Sequence, residues 1–283
     1  MTIEITLLGT GSPLPDPNRA GPSTLVRAGG KTFLFDAGRG VGLRLAAAGA
    51  AWPLLDAVLL THLHSDHITD LNDAITGRWV TSFAPNPLPI VGPVGTQVVV
   101  DGILTMLGPD ISYRIAHHED MTEGPQPQVS ECTGGVVYED AEADVRIVAA
   151  PTDHRPVEPT LGYRIEHGGA AVVIGGDGIP CAGLDELCAG ADAYVQTVLR
   201  DDLVRQIPVQ RFLDTIDYHS TVRQAAETAA KGRVGTLVLT HQVPTPAPGS
   251  EAEWISLAAE AFDGRIVFGE DLTVVSVEAG TTI

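Results

Sequence analysis

The sequence predicts an α/β protein in which two facing β-sheets carry helices on their outer faces. Short apolar segments typical of strands, and alanine-rich or amphipathic segments typical of helices, occur in both halves of the chain. No linker or internal repeat divides the 283 residues, so we predict a single domain over residues 1–283. With 44% hydrophobic residues, the chain has ample material for the buried core of such a fold.

In the first half, the hydrophobic pattern and the positions of glycine and proline mark the elements. Strands are predicted at residues 3–8, 23–27, 32–35 and 57–60, and helices at 40–48, 68–79 and 96–107. Glycines at 29–30 turn the second and third strands into a hairpin. The proline-rich segment 83–93 is predicted to be a loop or a short edge strand, because proline cannot donate to a sheet ladder.

The second half continues this mixture. Strands are predicted at residues 145–150, 161–166, 171–174, 193–199 and 237–241, with two more inside 265–277, and helices at 184–188, 222–230 and 252–262. The tripeptide His167-Gly168-Gly169 is predicted to turn the chain between two of these strands. That position would leave His167 exposed and without a role.

The most informative stretch follows a short apolar strand and covers residues 61–67, which read Thr-His-Leu-His-Ser-Asp-His. In extended geometry His62 and His64 point to the same side, whereas Asp66 and His67 can face a second point once the chain bends into a helix. Neutral imidazole and carboxylate groups suit zinc, iron or manganese, and so dense a cluster is costly to bury without a cation. We therefore predict a metal site, against the alternative of a solvated polar loop.

Polar residues also follow three later strands. His154, Asp177 and His241 each stand at or just beyond the end of one of them, and the glycines around Asp177 allow a close approach of backbone. A lone histidine after a strand is weak evidence by itself. His117 and His118 are adjacent and point apart in any regular structure, so we predict that they are solvated rather than a further metal site.

The motif His-x-His-x-Asp-His resembles that of the metallo-β-lactamase superfamily, and the resemblance extends over nearly the whole chain. It implies an αβ/βα sandwich, a four-layer fold of two mixed sheets with helices on the outer faces. It also implies two divalent metal ions, zinc before manganese or iron. By this resemblance the first metal binds His62, His64, His154 and Asp177, and the second binds Asp66, His67, Asp177 and His241. Asp36 would support the metal loop or simply cap a turn.

Two further features resemble the ribonuclease Z family, whose members process the 3′ end of transfer RNA. Asp177 would bridge the metals, and His219-Ser220-Thr221 precedes a helix, as in related phosphodiesterases and in arylsulfatases of this fold. The resemblance implies a metal-bridging hydroxide nucleophile, with His219 as an acid or transition-state stabiliser and Asp66 as a hydrogen-bond partner of both. Alternatively, His219 is only a helix-start residue.

The chain departs from the ribonuclease Z pattern at three places. Gly178 stands where the family usually has threonine. The family typically has His-Glu-Ala-Thr on the strand before the helix, with the glutamate orienting the catalytic histidine. This chain has Gln196-Thr197-Val198-Leu199, which leaves Asp217 as a candidate replacement. A long lysine-rich arm that grips transfer RNA should lie between His154 and Asp177, where only a hairpin is predicted.

Composition bears on partners and compartment. The net charge is −19 and no run of lysine or arginine occurs, so the surface repels phosphate backbones. Together with the missing arm, this predicts a small-molecule ester substrate and argues against nucleic acid. Three cysteines without a Cys-x-x-Cys pair fit a reducing compartment, and no leader or membrane-spanning run is visible. We expect a cytoplasmic protein without membrane contact; the oligomeric state is open, a homodimer included.

The predicted function is a dinuclear metal-dependent hydrolase that cleaves phosphodiester bonds of small substrates, similar to ribonuclease Z without its arm. Sulfate ester hydrolysis is the close alternative, because a sulfate monoester presents similar tetrahedral oxygens. Carboxylic ester or lactone hydrolysis and transfer RNA processing are less favoured. An iron redox protein lacks a supporting flavin domain or persulfide-handling cysteine, and a catalytically dead binding protein conflicts with the unsubstituted ligand positions.

Overall fold

The computed structural model describes residues 1–279. Its strands are β1 Thr2–Gly9, β2 Ser23–Ala28, β3 Lys31–Phe35, β4 Ala57–Leu59, β5 Leu88–Gly92, β6 Pro127–Glu131, β7 Gly135–Asp140, β8 Val145–Pro151, β9 Leu161–His167, β10 Ala170–Ile174, β11 Ala193–Leu199, β12 Thr236–Val243, β13 Arg265–Phe268 and β14 Val274–Glu278. Its α-helices are α1 Val41–Ala47, α2 Ser65–Ile68, α3 Leu71–Thr81, α4 Thr96–His117, α5 Ala182–Cys188, α6 Asp201–Val204, α7 Gln210–Leu213, α8 Val222–Gly232 and α9 Glu251–Ala259.

The strands form two mixed seven-stranded sheets. The first has the order β14-β1-β2-β3-β4-β5-β6, and the second has the order β13-β12-β11-β10-β9-β8-β7. In the first sheet the pairings from β14 to β3 are antiparallel and those from β3 to β6 are parallel. The second sheet has the same composition, antiparallel from β7 to β10 and parallel from β10 to β13. Each sheet therefore has one antiparallel and one parallel half.

Apolar side chains fill the space between the sheets and both outer faces. Phe33 and Phe35 of β3 are buried between the sheets, whereas Leu34 packs in the cluster that includes residues of α1 and α3. On the second sheet, Trp254 of α9 packs in one outer cluster with Leu237 of β12. Because successive side chains of a strand alternate between faces, strands covered on both sides are apolar throughout. The predicted αβ/βα sandwich of two mixed sheets is confirmed.

Several elements differ from the sequence-based expectation. β5 lies inside the first sheet, between β4 and β6, although it contains Pro89. The proline is tolerated because only Ile90 and Val91 of β5 pair with β4. Helix α4 includes Pro109 in its interior and ends at His117, although an interior proline often breaks a helix. β6 and β7 are not predicted from the sequence. These strands form one edge of each sheet and expose most of their side chains, so they lack an apolar pattern.

Of the histidines outside the predicted site, His117 and His118 are exposed, whereas His167 is buried. His117 and His118 are exposed, as predicted, yet their rings meet edge to face with centroids 4.9 Å apart, so they do not point apart. The prediction that His167 is an exposed turn residue is wrong. His167 is the last residue of β9, is buried, and its Nδ1 lies 3.0 Å from the carbonyl oxygen of Asp144.

Within residues 1–279, no helix combines the length and the apolar character needed to cross a bilayer. The single domain over residues 1–283 stays a prediction.

A buried tyrosine joins the two sheets beside the histidine motif. Tyr163 of β9 lies fully buried, and its hydroxyl donates a hydrogen bond of 2.7 Å to the carbonyl of Leu60, directly after β4. The N–H of Leu161 donates to the carbonyl of Thr61 at 2.8 Å, next to the first bond. These two bonds hold the start of residues 61–67 against the second sheet.

We expect Tyr163→Phe to lower the free energy of unfolding by about 1–3 kcal/mol, because the buried Leu60 carbonyl loses this donor. Urea denaturation followed by circular dichroism would measure the change. The matched control is Tyr113→Phe, at a side chain that is 72% exposed, which should leave the unfolding midpoint unchanged. Equal midpoints for the two variants would contradict the role given to this bond.

Candidate metal centre

Residues 61–67 change from extended to helical backbone within a few residues, since β4 ends at Leu59 and α2 begins at Ser65. The turn is held by Asp36, whose backbone is left-handed with φ 59°. Its carboxylate accepts hydrogen bonds of 2.8 Å from the N–H and from the Oγ1 of Thr61, and its Oδ2 lies 2.8 Å from Nδ1 of His67. Asp36 therefore orients the motif instead of merely capping a turn.

The first group of predicted ligands consists of His62, His64, His154 and Asp177, and one atom of each lies within 4.8 Å of the others. Nδ1 of His64 lies 3.1 Å from Nε2 of His62 and 3.3 Å from Nε2 of His154. Oδ2 of Asp177 lies 3.9 Å and 4.0 Å from the same two Nε2 atoms. The four side chains thus converge on one small volume at the carboxyl ends of their strands.

The hydrogen bonds of Nδ1 in His154 and in His62 indicate which nitrogen of each ring carries the proton. Nδ1 of His154 is 2.8 Å from the carbonyl oxygen of Tyr218, which can only accept, so this nitrogen is the donor. Nδ1 of His62 is 3.0 Å from Oγ1 of Thr61, whose own proton goes to Asp36, so it donates as well. When these rings are neutral, both Nε2 atoms are therefore unprotonated, and their lone pairs face the carboxylate of Asp177. That arrangement fits a divalent cation between them.

The second group consists of Asp66, His67 and His241, again with one atom of each within 4.8 Å of the others. Oδ2 of Asp66 is 3.2 Å from Nε2 of His241 and 3.7 Å from Nε2 of His67. Among the described residues, the buried Nε2 of His67 has no hydrogen-bond partner. Oδ2 of Asp177 also reaches this group, at 3.4 Å from His67 and 3.5 Å from His241. The seven predicted ligands are thus together; their binding of metal stays a prediction.

Charge compensation in the site rests on the histidines. Burial lowers the pKa of His62 well below its ordinary value and lowers that of His154 to about 4, so both rings are neutral. Burial would raise the pKa of Asp177, but His241 and His67 hold it well below its ordinary value. In the part of the chain that the structure describes, the ion-pair partners of Asp177 are all histidines, without lysine or arginine. A buried carboxylate in this setting requires positive charge, which a metal supplies.

His219 lies beside Asp177. Its Nε2 is 3.3 Å from Oδ2 of Asp177, and its Nδ1 is 2.9 Å from the carbonyl oxygen of Thr215. The proposed replacement of the missing glutamate by Asp217 does not occur, because Asp217 is exposed and the 3₁₀ helix Asp214–Asp217 presents a backbone carbonyl to the ring instead. Within residues 1–279 the ion-pair contact of His219 is with Asp177, so the predicted contact with Asp66 is not formed either.

The glycine after Asp177 allows three backbone segments to meet. Gly178 has φ 155°, and a Cβ there would lie 2.7 Å from the carbonyl oxygen of Asp153, so a side chain does not fit. The Gly178 carbonyl accepts hydrogen bonds from the N–H and the hydroxyl of Ser220, at 2.7 Å and 2.8 Å. Thr221 caps α8 with a complete capping box. The tripeptide 219–221 therefore attaches the loop of Asp177 to the start of a helix.

Two contacts in the site escape the sequence analysis. One is the Tyr218 carbonyl at His154, which has no side-chain signature and so leaves no signal in a sequence. The other is the Thr197 hydroxyl, which donates a hydrogen bond of 2.7 Å to Oδ1 of Asp177. Thr197 stands where the resemblance expects the glutamate. This departure from the family pattern was the signal in the sequence that could have identified Thr197 as a residue of the site.

Comparison with known proteins finds relatives over nearly the whole chain. Residues 31–242 match the family model of the beta-lactamase superfamily domain. The chain is 58% identical to the ribonuclease Z of Mycolicibacterium gilvum over 280 residues, which cover 98% of this chain and 97% of the relative. It is 57% identical to the ribonuclease Z of Mycolicibacterium paratuberculosis, over 98% of this chain and 99% of the relative.

Solved structures share the fold at lower identity. A metallo-β-lactamase fold protein from Bacillus subtilis aligns with a TM-score of 0.74 and 20% identity, over 98% of this chain and 99% of that one. The human tRNase Z, short form, aligns with a TM-score of 0.71 and 24% identity, over 97% and 99%. These similarities support the fold alone.

We expect Asp36→Asn to weaken metal binding by about 10–100-fold, the usual effect of removing a group that orients a ligating histidine. The amide can present an N–H₂ group to Nδ1 of His67, and two donors would then face each other. Competition with a chromophoric chelator would measure the affinity. Asp56→Asn is the matched control, since Asp56 also accepts a backbone N–H but belongs to neither ligand group. Equal affinities in the two variants would contradict the role of Asp36.

Proposed function

Because the chain belongs to the beta-lactamase superfamily and, within it, to the ribonuclease Z family, we propose that it is an endoribonuclease that cleaves transfer RNA precursors on their 3′ side. At the level of the family, it is a metal-dependent hydrolase that acts on phosphoester bonds. The observation that carries the proposal is the 58% identity to a ribonuclease Z over 98% of the chain. The convergence of the seven candidate ligands in two groups supports it.

The prediction of a small-molecule substrate, with nucleic acid unlikely, is wrong. Relatives at 58% and 57% identity are named ribonuclease Z, and their substrate is therefore RNA. The net charge of −19 was a poor guide, because it sums charges over the whole chain. Two divalent ions would bring four positive charges to a pocket that holds Asp36, Asp66 and Asp177. Bound cations are the largest local charges in such a site, and they attract a phosphodiester locally.

In the proposed function, this chain binds its RNA without the long arm of the ribonuclease Z pattern. The interval between His154 and Asp177 contains β9 and β10, which are joined by the two-residue turn Gly168–Gly169. The hairpin predicted for this interval is confirmed. In the proposed function, the RNA is therefore held by other loops at the mouth of the site.

We assign zinc as the resident metal within this proposal. The two ligand groups offer imidazole nitrogens and carboxylate oxygens, a donor set that zinc accepts in catalytic sites. When bound, a pair of such ions supplies positive charge to the phosphate oxygens and makes a water molecule acidic enough to attack near neutral pH. Asp66, as predicted from the resemblance, would accept a hydrogen bond from that water as well as serve as a ligand.

His219 is the group that would move a proton. Its Nε2 faces the metal side and would donate to the leaving oxygen of the cleaved phosphodiester. Its Nδ1 keeps a proton for the Thr215 carbonyl throughout, so the ring stays in place while Nε2 loses and regains its proton. Phosphodiester hydrolysis is favoured over sulfate ester hydrolysis by the identity to ribonucleases Z.

We expect His219→Ala to keep both metals and to lose about 10²–10⁴ in turnover, the range for a positioned acid–base group. The assay is cleavage of a transfer RNA precursor that carries a 3′ trailer, with metal content measured on the same preparation. Asp177→Ala should instead lower the metal content, because its Oδ2 lies against both ligand groups. Loss of metal in His219→Ala, or unchanged turnover, would show that His219 is assigned wrongly.

A second variant tests whether a backbone carbonyl replaces the missing glutamate. Asp217 is exposed, so Asp217→Asn should cleave the precursor at the rate of the unmodified protein. A partial loss would mean that this carboxylate acts on His219 after all. Failure of the unmodified, zinc-loaded protein to cleave any transfer RNA precursor would refute the proposed function as a whole.

A further inference from the structure

The two carboxylate oxygens of Asp177 have different surroundings. Oδ2 faces the metal centre, and ring nitrogens of five histidines lie within 4.0 Å of it: His219 at 3.3 Å, His67 at 3.4 Å, His241 at 3.5 Å, His62 at 3.9 Å and His154 at 4.0 Å. Oδ1 faces away and accepts the 2.7 Å hydrogen bond from Oγ1 of Thr197. Both side chains are buried, with 3% exposure each.

We propose that Thr197 is a positioning residue of the metal centre: its hydroxyl holds Oδ1 of Asp177, so that Oδ2 alone lies between the two ligand groups. The inference rests on the two-metal site of the proposed function. A carboxylate can rotate about its χ2 bond, which is a broad torsion with little intrinsic preference. A hydroxyl donor on one oxygen removes that freedom before any metal arrives.

The neighbouring residue holds the backbone of the same loop. Gln196 donates from Nε2 to the carbonyl of Gly176 at 3.0 Å, directly before Asp177, and its Oε1 accepts the hydroxyl of Tyr194 at 2.6 Å. Gln196 and Thr197 lie on opposite faces of β11, as successive residues of a strand do. The dipeptide therefore fixes Asp177 twice, once through the main chain and once through the side chain.

The position of Thr197 explains why the site tolerates the loss of the expected glutamate. A glutamate here would add another carboxylate beside Asp177, whereas threonine supplies a neutral donor. The orienting of His219 has moved to the Thr215 carbonyl. In this chain, the position that the resemblance gives to the histidine partner acts on the bridging carboxylate instead.

The test compares Thr197→Val, Thr197→Ser and the unmodified protein. Valine keeps the shape of threonine and removes the donor, so we expect metal binding to weaken by about 10–100-fold in chelator competition. Serine keeps the hydroxyl and should restore the affinity. In cobalt-loaded protein, the visible absorption bands should shift in the valine variant and not in the serine variant, because the coordination by Asp177 changes. Thr236→Val is the matched control, at a buried threonine on β12 paired with the start of β11, away from the site.

Unchanged affinity and unchanged cobalt bands in Thr197→Val would overturn the inference. An equal loss in Thr236→Val would also overturn it, since the effect would then be one of general stability. Should the valine variant fail to fold, Thr197→Ala takes its place under the same criteria. Failure of the proposed function is distinguishable, because the unmodified protein would then bind no metal or cleave no RNA. If the protein binds metal and cleaves RNA but its metal affinity does not depend on the Thr197 hydroxyl, this inference alone is refuted.

Discussion

The burial of one carboxylate, that of Asp177, is the constraint on which the site depends. A buried carboxylate costs several kcal/mol unless opposite charge and hydrogen bonds surround it. Here Oδ2 meets only histidine nitrogens as ion-pair partners within residues 1–279, and Oδ1 meets a threonine hydroxyl. The imidazoles come from both sheets, so the charge is compensated only when the whole sandwich is assembled. The chemistry of the site and the packing of the fold therefore depend on each other.

The two sheets contribute to this point in a similar way. Each consists of an antiparallel half and a parallel half, and the parallel halves end beside the ligands. β4 of the first sheet leads into His62, and β12 of the second delivers His241. Bonds such as that between Tyr163 and the Leu60 carbonyl cross from one sheet to the other. The candidate ligands therefore lie in or just beyond the ends of strands in both sheets, where the two rigid sheets limit their movement.

The sequence predicted the candidate ligands partly through local chemistry and partly through the resemblance. The dense motif at residues 61–67 indicates a metal site by its composition, whereas a lone histidine after a strand, such as His154, is weak evidence by itself and was assigned through the resemblance. The strands with buried faces were recognisable because their apolar pattern is local. The edge strands β6 and β7 were not, because their side chains are exposed and their order depends on backbone pairing. The substrate was missed because net charge carries no information about the local field, and the partner of His219 was missed because it is a backbone atom.

Backbone carbonyls of Thr215 and Tyr218 orient two of the site's histidines. Main-chain oxygens are the same for every amino acid, so this part of the design is insensitive to residue identity. Residues 214–217 are therefore free to vary during evolution, provided that the short 3₁₀ helix keeps its path, whereas the ring of Tyr218 also contacts the rings of His154 and His219. Insertions, deletions and new prolines would be selected against there, because they move the carbonyls. The segment would thus look variable among related sequences while its length stays constant.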